Sequence, residues 1–238
     1  MTNGKIMNNE ETLEEYKNRM MNRHKTVVQP VDDVKLKAYW DSIEKVTGEY
    51  QKLNIADLRL VLAERSRQLG DFFVEDKDNH EYIELLLEYF STYHRKGLLI
   101  RGDYGVGKTY PLVLLGGLRQ TFKTGNMINC KEVKRMVDGY GMKAEEMERI
   151  FSRYMDKEIL VLDEMNEDWK VNFMGTVLNP VELILLHRYD LYVTYGTKTI
   201  ITTNLSVNDI EKHYGGRVKS RLKEMCFDII ITGKDRRK

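Results

Sequence analysis

The stretch Ile100-Arg101-Gly102-Asp103-Tyr104-Gly105-Val106-Gly107-Lys108-Thr109 constrains this chain more than any other. It fits G-x-x-x-x-G-K-[ST] at every fixed position, and its setting is the one a phosphate-binding loop requires. The apolar run Gly97-Leu98-Leu99-Ile100 reads as a buried strand just before it, and an amphipathic helix over 107–122 follows. Glycines allow the backbone to fold into a concave nest of N–H groups aimed at phosphate oxygens. The helix N-terminus adds its partial positive charge. The expected nucleotide contacts are Gly102, Asp103, Tyr104, Gly105, Val106, Gly107, Lys108, Thr109 and Tyr110. Lys108 is expected on the β- and γ-phosphates of ATP, and the Thr109 hydroxyl on Mg²⁺. Pro111 falls in the first helical turn, where its missing N–H matters little.

A second string completes such a site. Ile159-Leu160-Val161-Leu162-Asp163-Glu164 is four buried aliphatics followed by two acids, a central strand that ends in carboxylates. In an open parallel sheet ligands bind at the carboxyl ends of strands, which predicts Asp163 beside the nucleotide as a ligand of Mg²⁺, directly or through water. Glu164 is expected to orient and deprotonate the attacking water, and a second acid directly after the first favours hydrolysis over simple binding. The strand Lys198 to Thr203 then runs into Asn204; resemblance to P-loop ATPases with an additional strand, in which a polar residue here lies near the γ-phosphate and attacking water, makes Asn204 a candidate sensor. A strand-and-helix segment (126–156) separates the two motifs, as in P-loop ATPases with an additional strand.

Apolar strands alternating with helices along the rest of the chain predict a parallel sheet covered on both faces. Expected strands lie at 126–129, 158–162, 198–203 and 227–232, and expected helices at 79–93, 131–139, 143–156, 178–194, 206–213 and 216–224. Three further helices are expected ahead of them, at 10–25, 32–47 and 55–69, with Pro30 as a break. The organisation read from this is a helical extension over 1–75 followed by an ATPase domain over 76–238.

No apolar run approaches the roughly 20 residues of a membrane span, and no apolar signal core follows the start, so a cytoplasmic protein without membrane contact is expected. Cys130 and Cys226 are far apart and outside any Cys-x-x-Cys pair, which points to buried thiols rather than zinc or a disulfide. The net charge of +1 is uninformative, but residues 212–238 hold nine bases against three acids, a local excess that suits phosphate or a solvated surface.

Taken together, the three motifs resemble those of AAA+ ATPases. The tail, Tyr214-Gly215-Gly216-Arg217-Val218-Lys219-Ser220-Arg221-Leu222 and then Gly233-Lys234-Asp235-Arg236-Arg237, resembles the ending of DnaC/IstB-type ATPases, the bacterial and phage replicative-helicase loaders. The similarity runs from about Gly97 to the C-terminus. It implies an α/β three-layer P-loop fold of the additional-strand type with no C-terminal lid domain, in keeping with the 34 residues that follow Asn204. It also implies that Ser220-Arg221 supplies an arginine finger in trans within a homo-oligomer. Arg217 matches a second arginine of the same motif, and Arg237 matches the arginine of a terminal Gly-x-Asp-x-Arg. A finger needs the planar guanidinium fork, which binds two phosphate oxygens as charge develops. Tyr104 is bulkier than is usual at its loop position, and Tyr110 stands where His is frequent.

Three functions remain open at this level. In the first, an ATP-dependent loader, residues 1–75 grip a replicative DNA helicase and the core contacts single-stranded DNA, with Lys134, Arg135, Tyr140 and Lys143 as candidate contacts or simply a solvated helix face. The second is an IstB-like regulator of transposition on duplex DNA. The third is a nucleotide-dependent scaffold with negligible turnover, against which Glu164 argues.

Overall fold

The computed structural model describes residues 52–70, 73–118, 120–138, 157–166, 169–173 and 176–237. The helices expected at 10–25, 32–47 and 143–156 lie outside these residues.

The sheet follows from a two-residue alternation in its strands. Five strands, β1 (Gly97–Gly102), β2 (Met127–Asn129), β3 (Ile159–Asp163), β6 (Lys198–Thr203) and β7 (Cys226–Ile231), pair in parallel in the order β2-β3-β6-β1-β7. Leu98 and Ile100 of β1, Val161 of β3, and Ile200 of β6 enter one core. Leu99, Leu160, Leu162 and Ile201 enter the other. Successive side chains of a strand point to opposite faces, so a strand that is apolar at every position must be covered on both.

The first face is covered by α1 (Ile55–Gln68), α2 (His80–Ser91) and α3 (Tyr110–Leu115). The second is covered by α4 (Cys130–Asp138), α5 (Pro180–Tyr195) and α6 (Val207–Met225). A short antiparallel hairpin, β4 (Val171–Phe173) and β5 (Thr176–Leu178), stands apart from the main sheet. The sequence reading contained no such element.

Local chemistry sets several boundaries. Asn54 and Asp57 form a reciprocal capping box at the start of α1. Asn179 accepts from the Val181 and Glu182 amides at the start of α5, and Gly196 ends that helix in the left-handed region. The helix expected over 107–122 is much shorter, because Gly116 leaves helical geometry. Arg65 of α1 donates to the carbonyls of Leu114 at 2.7 Å and Gly116 at 2.5 Å, which satisfies groups that a continuing helix would have used. The break expected between two C-terminal helices appears as Gly215, non-helical at φ 82°, inside α6.

Arg188 of α5 is fully buried. Its guanidinium donates to the carbonyls of Lys157 and of Lys198 (2.6 Å) and to Thr199 Oγ1 (3.1 Å), tying together the starts of β3 and β6. No helix among the described residues is long and apolar enough to cross a membrane.

Candidate nucleotide site

The carboxyl ends of β1, β3 and β6 open onto a cavity of about 550 Å³. Tyr104, Gly105, Gly107, Lys108, Thr109 and Tyr110 of the phosphate loop line it, with Glu164, Thr203 and Asn204 from the neighbouring strand ends. The segment between α1 and α2 contributes Phe73, Val74 and Asn79, and the C-terminal tail contributes Arg236 and Arg237.

The loop conformation depends on its glycines. Gly105 and Gly107 adopt φ of 76° and 93°, which L side chains rarely enter. Space matters as well, since a Cβ on Gly102 would lie 2.3 Å from the Ile231 carbonyl oxygen. Lys108 Nζ donates to the carbonyls of Gly102 and Asp103 at 2.6 and 2.7 Å, bracing the loop from inside. Burial pushes the Lys108 ammonium below its usual pKa; Asp103 and Asp163 oppose that shift, and Arg237 adds to it. From α2, the buried Tyr82 hydroxyl donates to the Lys108 carbonyl at 2.7 Å. Burial raises that phenol well above the ordinary tyrosine range, so it stays a neutral donor.

Asp163 is the hub of the acidic end. Its Oδ1 accepts from Thr109 Oγ1 at 2.7 Å and from Thr202 Oγ1 at 2.6 Å. Thr202 Oγ1 in turn accepts from the Glu164 amide at 2.9 Å. Glu164 is the only non-glycine with positive φ among the described residues, at 56°. This left-handed turn swings its carboxylate off the β3 line and into the cavity, where Asn129 Nδ2, at the end of β2, donates to Oε2 at 2.8 Å. Asn204 lines the same space, and its Oδ1 is buried without a hydrogen-bond partner.

Chain order decides the architecture. The strand ending in Asn204, β6, is inserted between the phosphate-loop strand β1 and the acidic strand β3. No protein-family profile and no curated protein matches the chain. Among solved structures, one from Streptococcus pyogenes serotype M3, described as a candidate primosome component, is 21% identical over 74% of this chain and 98% of its own, with a TM-score of 0.50. The shared fold is a five-stranded parallel sheet, with a strand added between the phosphate-loop strand and the acidic strand and helices on both faces.

Two further solved structures are similar to this chain, each at 21% identity. DnaI covers 71% of this chain and 89% of its own with a TM-score of 0.49. A DnaC helicase loader covers 67% and 93% with a TM-score of 0.47. Among the described residues, 232–237 follow β7 and contain no helix.

The two candidate finger residues sit elsewhere. Arg217 is exposed on α6, and Arg221, one turn on, packs its guanidinium 4.6 Å from the Tyr189 ring centre and 3.9 Å from Asp190. Neither is among the residues lining the cavity of its own chain. Of the candidate DNA contacts, Arg135 is paired with Glu132 at 2.6 Å, and Tyr140 and Lys143 lie outside the described residues.

The sequence reading assigned no site role to Tyr82, Asn129, Thr202 or Arg236. Asn129 carried the same signal that pointed to Asn204, a polar residue closing an apolar strand. Thr202 stands two residues before Asn204 in the same strand end. Tyr82 lies inside the helix expected at 79–93, with nothing local to set it apart. Asn79 occupies the cap position of α2, but its side chain turns back to the Asp76 amide (2.8 Å) and the Val74 carbonyl (2.9 Å).

Proposed function

We propose that this protein is a Mg²⁺-dependent ATPase of DNA replication that loads a replicative DNA helicase onto single-stranded DNA. The observation that carries the ATPase reading is the convergence of Thr109, at the start of α3, with Asp163 and Glu164, at the end of β3, at the foot of a phosphate loop. The Thr109 hydroxyl and the Asp163 carboxylate lie 2.7 Å apart, a pair of hard oxygen donors of the kind Mg²⁺ takes alongside phosphate and water. Bound there, the ion would neutralise charge on the β- and γ-phosphates.

The chain's own groups account for the remaining steps. The glycine loop and Lys108 hold the phosphates, with Arg237 on the tail side of the cavity. Glu164 accepts the proton of the attacking water, and Asn129 fixes the direction in which that carboxylate points. Asn204 Oδ1, buried and unpaired, is placed to accept a hydrogen bond from that water. Arg221 and Arg217 act from a neighbouring copy of the chain, which makes hydrolysis depend on assembly. The tail motif supports that reading, as does the distance of both residues from their own chain's cavity.

The replication role rests on the DnaC/IstB-type tail and is supported by the primosome component that shares the fold. In this reading residues 1–75 bind the helicase. ATPase action is tested with two variants. Lys108→Ala abolishes nucleotide binding, whereas Glu164→Gln binds ATP and fails to turn it over. Unchanged affinity in the first, or wild-type turnover in the second, refutes the assignment. A pull-down with residues 1–75 that recovers a transposase in place of a helicase would shift the role to transposition.

A further inference from the structure

The C-terminal tail does not leave the domain after β7. It folds back across the phosphate loop. The Arg236 amide donates to the Gly105 carbonyl at 2.9 Å. A Cβ on Gly105 would fall 1.8 Å from Asp235 Oδ1, and one on Gly107 would fall 3.3 Å from Arg236 Cδ. Asp235 Oδ1 also accepts the Arg237 amide at 2.9 Å, which closes the tail into a turn.

From this turn the Arg236 fork reaches across to Asp76, with Nη1 at 3.1 Å from Oδ2 and Nη2 at 2.6 Å from Oδ1. Asp76 belongs to the segment between α1 and α2, the opposite wall of the cavity. That segment is itself tied by Asn79 to the Asp76 amide and the Val74 carbonyl. Two walls 160 positions apart in the chain are therefore joined over the phosphate loop by one bidentate pair. Arg236 holds the Asp76 carboxyl below the usual aspartate range. Arg236 Nε is buried without a partner, and a Cβ on Gly107 would fall 3.9 Å from it.

Asp76 and Arg236 side chains are 42% and 25% exposed, a setting in which an ion pair adds little to global stability. Position is where such a pair has leverage. A glycine-rich loop has many conformations to lose on binding phosphate, and a contact that removes them beforehand raises affinity without touching the ligand. We propose that Asp76 and Arg236 are positioning residues for nucleotide binding: their pair clamps the tail onto the phosphate loop and holds the cavity closed between the tail and residues 73–79. This rests on the nucleotide reading given above, and it adds a control point, because the clamp ties the phosphate loop to the segment that follows α1.

The test titrates a fluorescent ATP analogue with Mg²⁺ into the full chain carrying Asp76→Asn, Arg236→Gln, both together, or the exchange Asp76→Arg with Arg236→Asp. Each single change weakens binding about tenfold and the double change no more than either, the signature of one shared interaction. The exchange recovers part of the loss, KM for ATP rises while kcat holds, and the nucleotide-free melting temperature stays put. Wild-type affinity in both single variants overturns the proposal, as do losses that add in the double variant. A loss of affinity matched by an equal fall in nucleotide-free melting temperature marks a merely structural pair and also overturns it. Lys108→Ala separates the two readings. If it loses nucleotide while the clamp variants keep it, only the clamp fails; if it binds like wild type, the nucleotide reading fails too.

Discussion

Replacing Thr202 by Val deletes one hydroxyl and leaves the shape of the side chain nearly unchanged. Thr202 is fully buried in β6, and its hydroxyl serves two groups. It donates to Asp163 Oδ1 at 2.6 Å and accepts the Glu164 amide at 2.9 Å. A hydrogen bond to a charged partner contributes about 1.5–3 kcal/mol and one to a neutral amide about 0.5–1.5 kcal/mol. Asp163 keeps the Thr109 donor at 2.7 Å, so the lower end applies to the first. The expected destabilisation is then about 2 kcal/mol, or a fall in melting temperature of roughly 4–8 °C for a domain of this size. Turnover falls as well, because the Glu164 amide is the anchor of the left-handed turn that aims its carboxylate. Thr202→Ser provides the control: it keeps the hydroxyl and loses a buried methyl at about 1 kcal/mol. Scanning calorimetry without nucleotide, with steady-state ATP hydrolysis alongside, reads both effects. If the Val variant melts with the wild type, or the Ser variant is the less stable of the two, the hub assigned to Thr202 is wrong.

Three more outcomes are expected. Arg188→Met strands the carbonyls of Lys157 and Lys198 at the starts of β3 and β6 and costs about 3 kcal/mol in urea unfolding; a midpoint equal to wild type would show that water replaces the guanidinium. Glu164→Gly unfolds about 1 kcal/mol less readily than Glu164→Ala, since only glycine adopts φ 56° without strain, while neither variant hydrolyses ATP; equal midpoints would show that this turn is unstrained. Burial pushes the Cys226 thiol up to about 12 and moves Cys130 upward too, so both stay protonated and shielded through mildly alkaline pH. A thiol reagent at pH 8 therefore labels neither in the native protein and both after unfolding, and rapid native labelling would contradict the burial of these two side chains.

Much of this fold was legible because its signals are local. The alternation that sends Leu98 and Ile100 to one face and Leu99 to the other is written in consecutive residues. The phosphate loop shows itself through glycine spacing between a strand and a helix, and Asp163-Glu164 through its place at the end of an apolar run. The length of α3 was not legible, because the residue that ends it productively, Arg65, lies about fifty positions away on α1. The hairpin of β4 and β5 was missed for a different reason, since two strands of three residues are too short to show a period.

The sequence by itself determined that the chain carries a phosphate loop, an acidic strand end, a polar strand end and a doubly covered parallel sheet, for each is a property of neighbouring residues and their period. Only the tertiary structure decided which side chains meet. Thr109 and Asp163 are 54 positions apart, Thr202 and Asp163 are 39, and Arg236 and Asp76 are 160. No periodicity encodes such pairs. They form because the crossovers of the sheet bring the carboxyl ends of β1, β3 and β6 together, and because the tail after β7 returns over the phosphate loop that β1 began.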